Sequence, residues 1–393
     1  LNSDHHIQRI EQELEQIRAR GLYRRMRYFE APQGPRTRID GRDVLVLSSN
    51  NYLGLCNDER LKSAAIAAIE KYGVGSGGSR LLTGSYDIHR RLEGEIANLK
   101  GTEACLVFNT GYMANLGAIS TIADKDWVIF SDSLNHASII DGCRMSGARV
   151  VIYNHCDLED LHRKTDSCDT HSGLIVTDGV FSIDGDIAPL PEILDIARNK
   201  GMLVMVDDAH ATGVLGPNGA GTADYYGLQN EIDIQMGTLS KALASEGGYV
   251  AGKRQLIELM INRARSFIFT TALAPATIAV SLKALDIVKS SPEARQNLIA
   301  NSIWFQERLR SAGFNLPESR TAILSIILGD PEKAVAFSAE LYAEGIYIPA
   351  IRPPTVPSGT SRLRISLMAT HTREDLEEAA LAIEKVGRNL RVI

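Results

Sequence analysis

Between residues 105 and 236, short β-rich runs alternate with helical stretches, and that rhythm narrows the choice of fold more than any other feature of the chain. The runs are Cys105–Phe108, Trp127–Phe130, Val150–Tyr153, Leu174–Thr177, Leu203–Val206 and Ile232–Met236. A strand, a helix and a second strand make a parallel pair, because the helix carries the chain back to its starting edge. Repeated, the unit predicts a mostly parallel sheet covered by helices, with functional residues at the carboxyl ends of its strands. After about Pro275 the pattern changes to longer helices with two strands, Ala322–Leu328 and Arg362–Ser366, and predicts a second, smaller α+β domain. Ahead of the alternation, Ile7, Ile10, Leu14 and Ile17 fall at helical spacing in a helix that stops near Gly21. An irregular arm, a short run Val44–Leu47 and a helical Arg60–Lys71 follow, then a glycine-dense loop from Gly73 to Gly84. The expected division is an N-terminal helix and arm over 1–46, a large domain over 47–283 and a small C-terminal α+β domain over 284–393.

Composition removes whole classes of function. With 393 residues, 44% hydrophobic and 23% charged, the chain reads as globular rather than disordered. At this length it can bury about three quarters of its unfolded surface, so it needs no disulfide or metal to fold. A net charge of -6 offers no attractive field to phosphate backbones or anionic lipid, which argues against nucleic acid and membrane as partners. No apolar run approaches the roughly 18 residues of a membrane span. The first residues, LNSDHHIQRI, are polar and nothing in them marks secretion, and Leu1 in place of Met suggests a trimmed or re-engineered start. Five scattered cysteines fit reduced thiols better than a disulfide framework. The expectation is a soluble cytoplasmic enzyme.

Four segments could carry chemistry. Asp207-Asp208-Ala209-His210-Ala211-Thr212-Gly213 follows an apolar run directly. A carboxylate at a strand end, three residues before a His, can hold a cationic ring nitrogen; it reads equally as a helix N-cap. Gly237-Thr238-Leu239-Ser240-Lys241-Ala242 sets a lysine among small residues behind a strand. An ammonium there is costly to desolvate, so such a lysine commonly works as a nucleophile or base, the alternative being a surface lysine that opens a helix. His136, after Phe130–Ser133, could stack on an aromatic ligand, act as acid or base, or simply be hydrogen-bonded. Phe108-Asn109-Thr110-Gly111-Tyr112-Met113-Ala114-Asn115 reads as strand, glycine turn and helix, which offers backbone N–H groups to a phosphate; many such turns bind nothing. Two patterns are set aside. Gly73-x-Gly75-x-x-Gly78 has a helix where a dinucleotide fingerprint needs a strand, and no GK[ST] follows it. His155, Cys156, His162, Cys168 and His171 fit no zinc-knuckle spacing, so no metal is expected.

Together these segments resemble the α-oxoamine synthase family of fold-type I enzymes that use pyridoxal 5'-phosphate (PLP). The resemblance runs from Gly21-Leu22-Tyr23-Arg24 to Ala369-Thr370-His371. Its most specific pieces are Ser48–Leu55, Gly75–Gly84, Thr177–Asp186, Asp207–Gly213, Gly237–Ala242 and Ile351–Arg364. It implies the aspartate aminotransferase-like fold and the condensation of a small amino acid with an acyl thioester, with loss of CO2. The segment Ile351–Arg364 resembles most the member of biotin biosynthesis, which joins L-alanine to pimeloyl-CoA or pimeloyl-acyl carrier protein. Glycine C-acetyltransferase and serine palmitoyltransferase chemistry are the alternatives within the family, Ser240–Ser245 being reminiscent of the latter. A silent subunit that supports an active partner is the alternative from another class; the presence of Lys241, Asp207 and His136 speaks against it.

The resemblance also implies roles. Lys241 anchors the cofactor covalently and moves the substrate Cα proton. Asp207 pairs with the pyridine nitrogen, His210 and Ser182 approach the phenolic oxygen, and His136 stacks on the ring. Gly111, Tyr112 and Thr238 hold the phosphate, joined by Thr270 or Thr271 from the second subunit of a homodimer with shared active sites. Arg364 clamps the amino-acid carboxylate with Asn50 nearby, while Arg24 and Thr355 match acyl-substrate positions.

Overall fold

The computed structural model describes residues 3–24, 26–168 and 170–393. In chain order its strands begin with β1 (Arg36–Ile39), β2 (Arg42–Val46), β3 (Ala104–Phe108) and β4 (Val128–Asp132). Next come β5 (Arg149–Tyr153), β6 (Gly173–Asp178), β7 (Leu203–Asp207), β8 (Ile234–Thr238) and β9 (Gly248–Gly252). Four strands close the series: β10 (Ile323–Gly329), β11 (Ile346–Tyr347), β12 (Ala350–Ile351) and β13 (Ser361–Ser366). The central sheet has seven strands in the order β3-β9-β8-β7-β6-β4-β5. All its pairings are parallel except the two that β9 makes, antiparallel to β3 and β8.

The six runs read from the sequence are the six parallel strands. β6 and β8 are buried along their whole length, as strands covered on both faces must be. One apolar layer packs Phe108, Ile119, Met205 and Phe267 on one side of the sheet; another packs Phe130, Leu161, Ile175 and Ile193 on the other. The strand of the central sheet that periodicity missed is β9. Its sequence Gly-Tyr-Val-Ala-Gly has a glycine at each end, which weakens a strand signal, yet those glycines are what let it fit. A Cβ on Gly248 would stand 2.6 Å from Gly111 N, and one on Gly252 2.6 Å from Asp233 O.

Register sets the site. Asp178 of β6 lies opposite Asp207 of β7, Asp207 opposite Met236 of β8, and Thr238 of β8 opposite Gly248. The carboxyl ends of neighbouring strands therefore present Asp178, Asp207 and Thr238 along one edge. The C-terminal part forms an antiparallel sheet, β10-β13-β12, and a second small sheet joins β1 and β2 to β11. Helix Pro275–Ser290 runs unbroken across residue 283, and the N-terminal arm meets the C-terminal part through the β2–β11 pairing. Helix Ser3–Ala19 forms as its spacing predicts, with Ile7 and Ile10 each 54% exposed. Among the described residues no helix is long and apolar enough to cross a membrane.

Candidate active site

A cavity of about 240 Å3 opens at the carboxyl edge of the central sheet, lined by residues from four of the predicted segments. Helix Gly111–Ile122 starts on its wall because Thr110 caps it, the hydroxyl accepting from Met113 N at 3.1 Å. Gly111 N and Tyr112 N have no acceptor among the described residues and sit at the positive end of that helix. Opposite them Thr238 Oγ1 shares a hydrogen bond of 2.8 Å with Ser240 Oγ.

Asp207 forms the floor. It is 3% exposed and held by two donors: Asn115 Nδ2 at 2.7 Å on Oδ2, and Ala209 N at 2.8 Å on Oδ1. Asn115 Nδ2 also reaches Ser138 Oγ at 2.8 Å, and Ser138 Oγ meets His136 Nδ1 at 2.7 Å. The His136 ring is thus fixed, but exposed into the cavity; burial and the Lys241 cation lower its pKa against the pull of Asp207. Asp178 accepts the His136 N–H at 2.7 Å, and burial beside the Asp207 carboxylate pushes its own pKa well up. Both Asp178 and Asn115 lie within segments that the sequence singled out, but neither was given a role there.

Lys241 projects toward the centre, its Nζ 2.7 Å from His210 Nε2. Burial pulls its pKa down to about 8, with Asp207 and Asp178 pulling the other way and Arg364 adding to the fall. His210 is driven well below the usual imidazole range by burial and by the Lys241, Arg364 and His136 charges. Behind His210, Arg364 donates through Nη2 to Asn50 Oδ1 at 3.1 Å and through Nε to the Ser182 carbonyl at 2.5 Å.

The remaining expected residues fall elsewhere. Ser182 contributes its carbonyl to Arg364 and is absent from the cavity lining. Thr270 and Thr271 also lie off the lining, in a loop joined to Gly75–Gly84 by the Ser79–Thr271 bridge and by Ala272 N donating to Gly78 O at 2.9 Å. Arg24 and Thr355 are exposed. Their neighbourhoods meet, since Arg352 donates to the carbonyls of Gly21 and Tyr23. His155 and Cys156 cluster with Asp132 rather than with His162, Cys168 or His171. Both His155 nitrogens are taken by carboxylates, Asp132 at 3.0 Å and Asp186 at 2.8 Å, which outweigh burial and push its pKa up to about 12.

The donor set suits one compact ligand. Free N–H groups at a helix start with two hydroxyls opposite would take a phosphate; a buried carboxylate would take a protonated ring nitrogen; a lysine of lowered pKa would take an aldehyde. PLP carries all three groups.

Comparison with known proteins agrees. The family description "Aminotransferase class I and II" matches residues 42–383. The chain is 50% identical to the 8-amino-7-oxononanoate synthase of Lysinibacillus sphaericus, over 98% of this chain and 99% of that one. The serine palmitoyltransferase of Sphingomonas wittichii superposes with a TM-score of 0.94 at 33% identity, covering 100% of both chains. The 8-amino-7-oxononanoate synthase of Francisella tularensis superposes with a TM-score of 0.77 at 30% identity, over 89% of this chain and 99% of that one. The matched span contains every residue that lines the cavity, and the chain belongs to the class I and II aminotransferase family, within its PLP-dependent α-oxoamine synthase branch.

Proposed function

We propose that the cavity carries out the decarboxylative condensation of L-alanine with a pimeloyl thioester, giving 8-amino-7-oxononanoate, CO2 and free thiol in biotin biosynthesis. The observation that carries this reading is the Lys241 amine, of lowered pKa and 2.7 Å from His210, above the Asp207 floor. Identity of 50% to an 8-amino-7-oxononanoate synthase, over 99% of that chain, supports this product. When bound, PLP supplies an aldehyde for amine exchange and a protonated ring that withdraws electrons from the substrate Cα.

The chain's own residues do the rest. Gly111 N, Tyr112 N and Thr238 Oγ1 would hold the phosphate, and Asp207, fixed by Asn115 and Ala209 N, would hold the ring nitrogen and keep its proton in place. The His136 ring would lie against the cofactor face. Lys241 would anchor the cofactor; released by the incoming amine, it is a base of suitable strength to take the Cα proton and later return one. Arg364, oriented by the Ser182 carbonyl and Asn50, would hold the alanine carboxylate as a fork. Arg24 and Thr355 would guide the acyl chain, delivered on CoA or a carrier protein. Leu82 at 82% exposure and Phe269 at 69%, beside Thr270 and Thr271, support a homodimer in which that loop completes the phosphate site of the second copy.

The test is thiol release from pimeloyl-CoA with L-alanine, glycine or L-serine. We expect release that depends on L-alanine and falls by about a thousandfold or more in Lys241→Ala, a variant that should still bind PLP. Release only from glycine with acetyl-CoA, or only from L-serine with a long acyl-CoA, would transfer the chain to another branch of the family.

A further inference from the structure

The turn Phe181–Asp186 closes on itself, with Phe181 N donating to Asp186 O at 3.0 Å and Gly185 N to Phe181 O at 2.9 Å. Its four middle residues are all held by the C-terminal part of the chain. Ser182 O accepts from Arg364 Nε at 2.5 Å, Ile183 O from Ser325 Oγ at 2.8 Å and Gly185 O from Thr321 Oγ1 at 2.9 Å. The fourth, Asp184, pairs its carboxylate with Arg362. At the far end of the turn Asp186 meets His155, and Asp132 at the close of β4 holds the same ring, so the turn is fastened to the central sheet as well.

Arg362 and Arg364 stand two apart on β13 and leave it from one face, with Ser325 opposite Arg364 in the β10–β13 register. That face meets the turn in step: Arg364 reaches residue 182 and Arg362 reaches residue 184, two parallel rungs. Arg364 uses Nε on the Ser182 carbonyl, which leaves the Nη groups to form a fork for a carboxylate. The angle of that fork follows the Ser182 carbonyl, and with a single rung the turn could pivot about it. Arg362 is itself fixed, its side chain 8% exposed and its Nε donating to Thr360 O at 2.8 Å. Neither Asp184 nor Arg362 lines the cavity, so a bound cofactor does not compete for their contact.

We propose that Asp184 is a positioning residue that, through Arg362, holds Arg364 at the angle at which its fork meets the amino-acid carboxylate. The inference rests on the reading of Arg364 as the carboxylate clamp. Asp184 then contributes to the preference for an amine that carries a neighbouring carboxylate, and contributes nothing to the exchange of amines at Lys241.

Ethylamine is alanine without its carboxylate, so the two ligands separate the clamp from amine exchange. The dissociation constants of L-alanine and of ethylamine are read from the cofactor's visible absorption in the holoenzyme, for wild type and for Asp184→Asn, which removes the charge and keeps the size. L-alanine should bind about tenfold more weakly to the variant, within the roughly hundredfold that a shift of about 1 Å in a substrate-holding group can cost. Ethylamine should bind as it does to wild type. Equal weakening of both ligands would show a general loosening of the fold, and unchanged binding of both would show that Arg364 is held without the second rung; either result overturns the proposal. Should Asp184→Asn fail to fold, Arg362→Lys, which keeps the cation and loses the planar fork, is read in the same way. A selective loss for L-alanine supports the proposal, and an equal or absent loss overturns it. A wild type that binds ethylamine as tightly as L-alanine would overturn the reading of Arg364 as the clamp, and the proposal with it.

Discussion

A lysine amine in water keeps its proton to about pH 10.4, whereas burial brings Lys241 down to about 8. The shift matters because only the neutral amine has a lone pair to offer. Below pH 8 the ammonium dominates, so the reactive fraction should rise as pH is raised and level off above 8. Capture of PLP by apoprotein, trapped with borohydride and quantified on the Lys241 peptide, should therefore have its midpoint near pH 8. A midpoint near 10 would show that the amine is not desolvated. The sequence marked this lysine as a candidate, since a cation among small residues behind a strand is costly unless it is used. Asp207 and His210 were marked by their spacing, a carboxylate at a strand end three residues before a His. Tyr52 was not, because a tyrosine beside Leu53 and Leu55 is indistinguishable from core until its phenol is seen against an imidazole.

At the scale of elements, the turn proposed to hold the phosphate depends on a strand with little sequence signature. β9 passes so close to the start of helix Gly111–Ile122 that a Cβ on Gly248 would stand 2.6 Å from Gly111 N, Gly111 Cα and Thr110 O. All three atoms are backbone, so nothing can rotate aside, and the turn would have to move. Overpacking of this kind costs about 1–3 kcal/mol. We expect Gly248→Ala to fold, with an unchanged far-ultraviolet spectrum, and to bind PLP about tenfold more weakly, which corresponds to about 1.4 kcal/mol. Dialysis against cofactor, read by absorption, measures this; wild-type affinity would mean that the Gly111 and Tyr112 N–H groups are not holding the phosphate.

At the scale of the molecule, the central sheet is tied together beneath the site by a wholly buried ion pair. Lys100, at the end of helix Asp87–Lys100, donates to Asp208 at 2.6 Å and to the Ala220 carbonyl at 2.5 Å, with the two side chains 0% and 1% exposed. Burial alone would lower the Lys100 pKa, but the Asp208 carboxylate raises it, and Thr222 satisfies the other Asp208 oxygen. Asp208 adjoins Asp207, so the pair also steadies the floor of the cavity. Lys100→Met leaves a buried carboxylate without its partner and should destabilise the fold by about 3–5 kcal/mol in urea unfolding. A loss below about 1 kcal/mol would mean that water reaches Asp208.

The sequence by itself determined the alternation of strand and helix, the parallel sheet and the candidate residues for the chemistry. Those depend on local spacing and on the cost of burying particular side chains, and both can be read along a line. Only the tertiary structure decided which groups face one another. The β6–β7–β8 register brought Asp178 and Asp207 side by side, where burial and then the Asp207 charge push the pKa of Asp178 up. The approach of β13 to the Asn50 turn set Arg364 behind His210. The fold also drew His155 away from His162, Cys168 and His171 into a double ion pair. Contacts between residues 158 or 314 positions apart, such as Tyr52 with His210 or Asn50 with Arg364, leave no periodic trace. They exist because layers of a packed core close over one another, and no local preference encodes that.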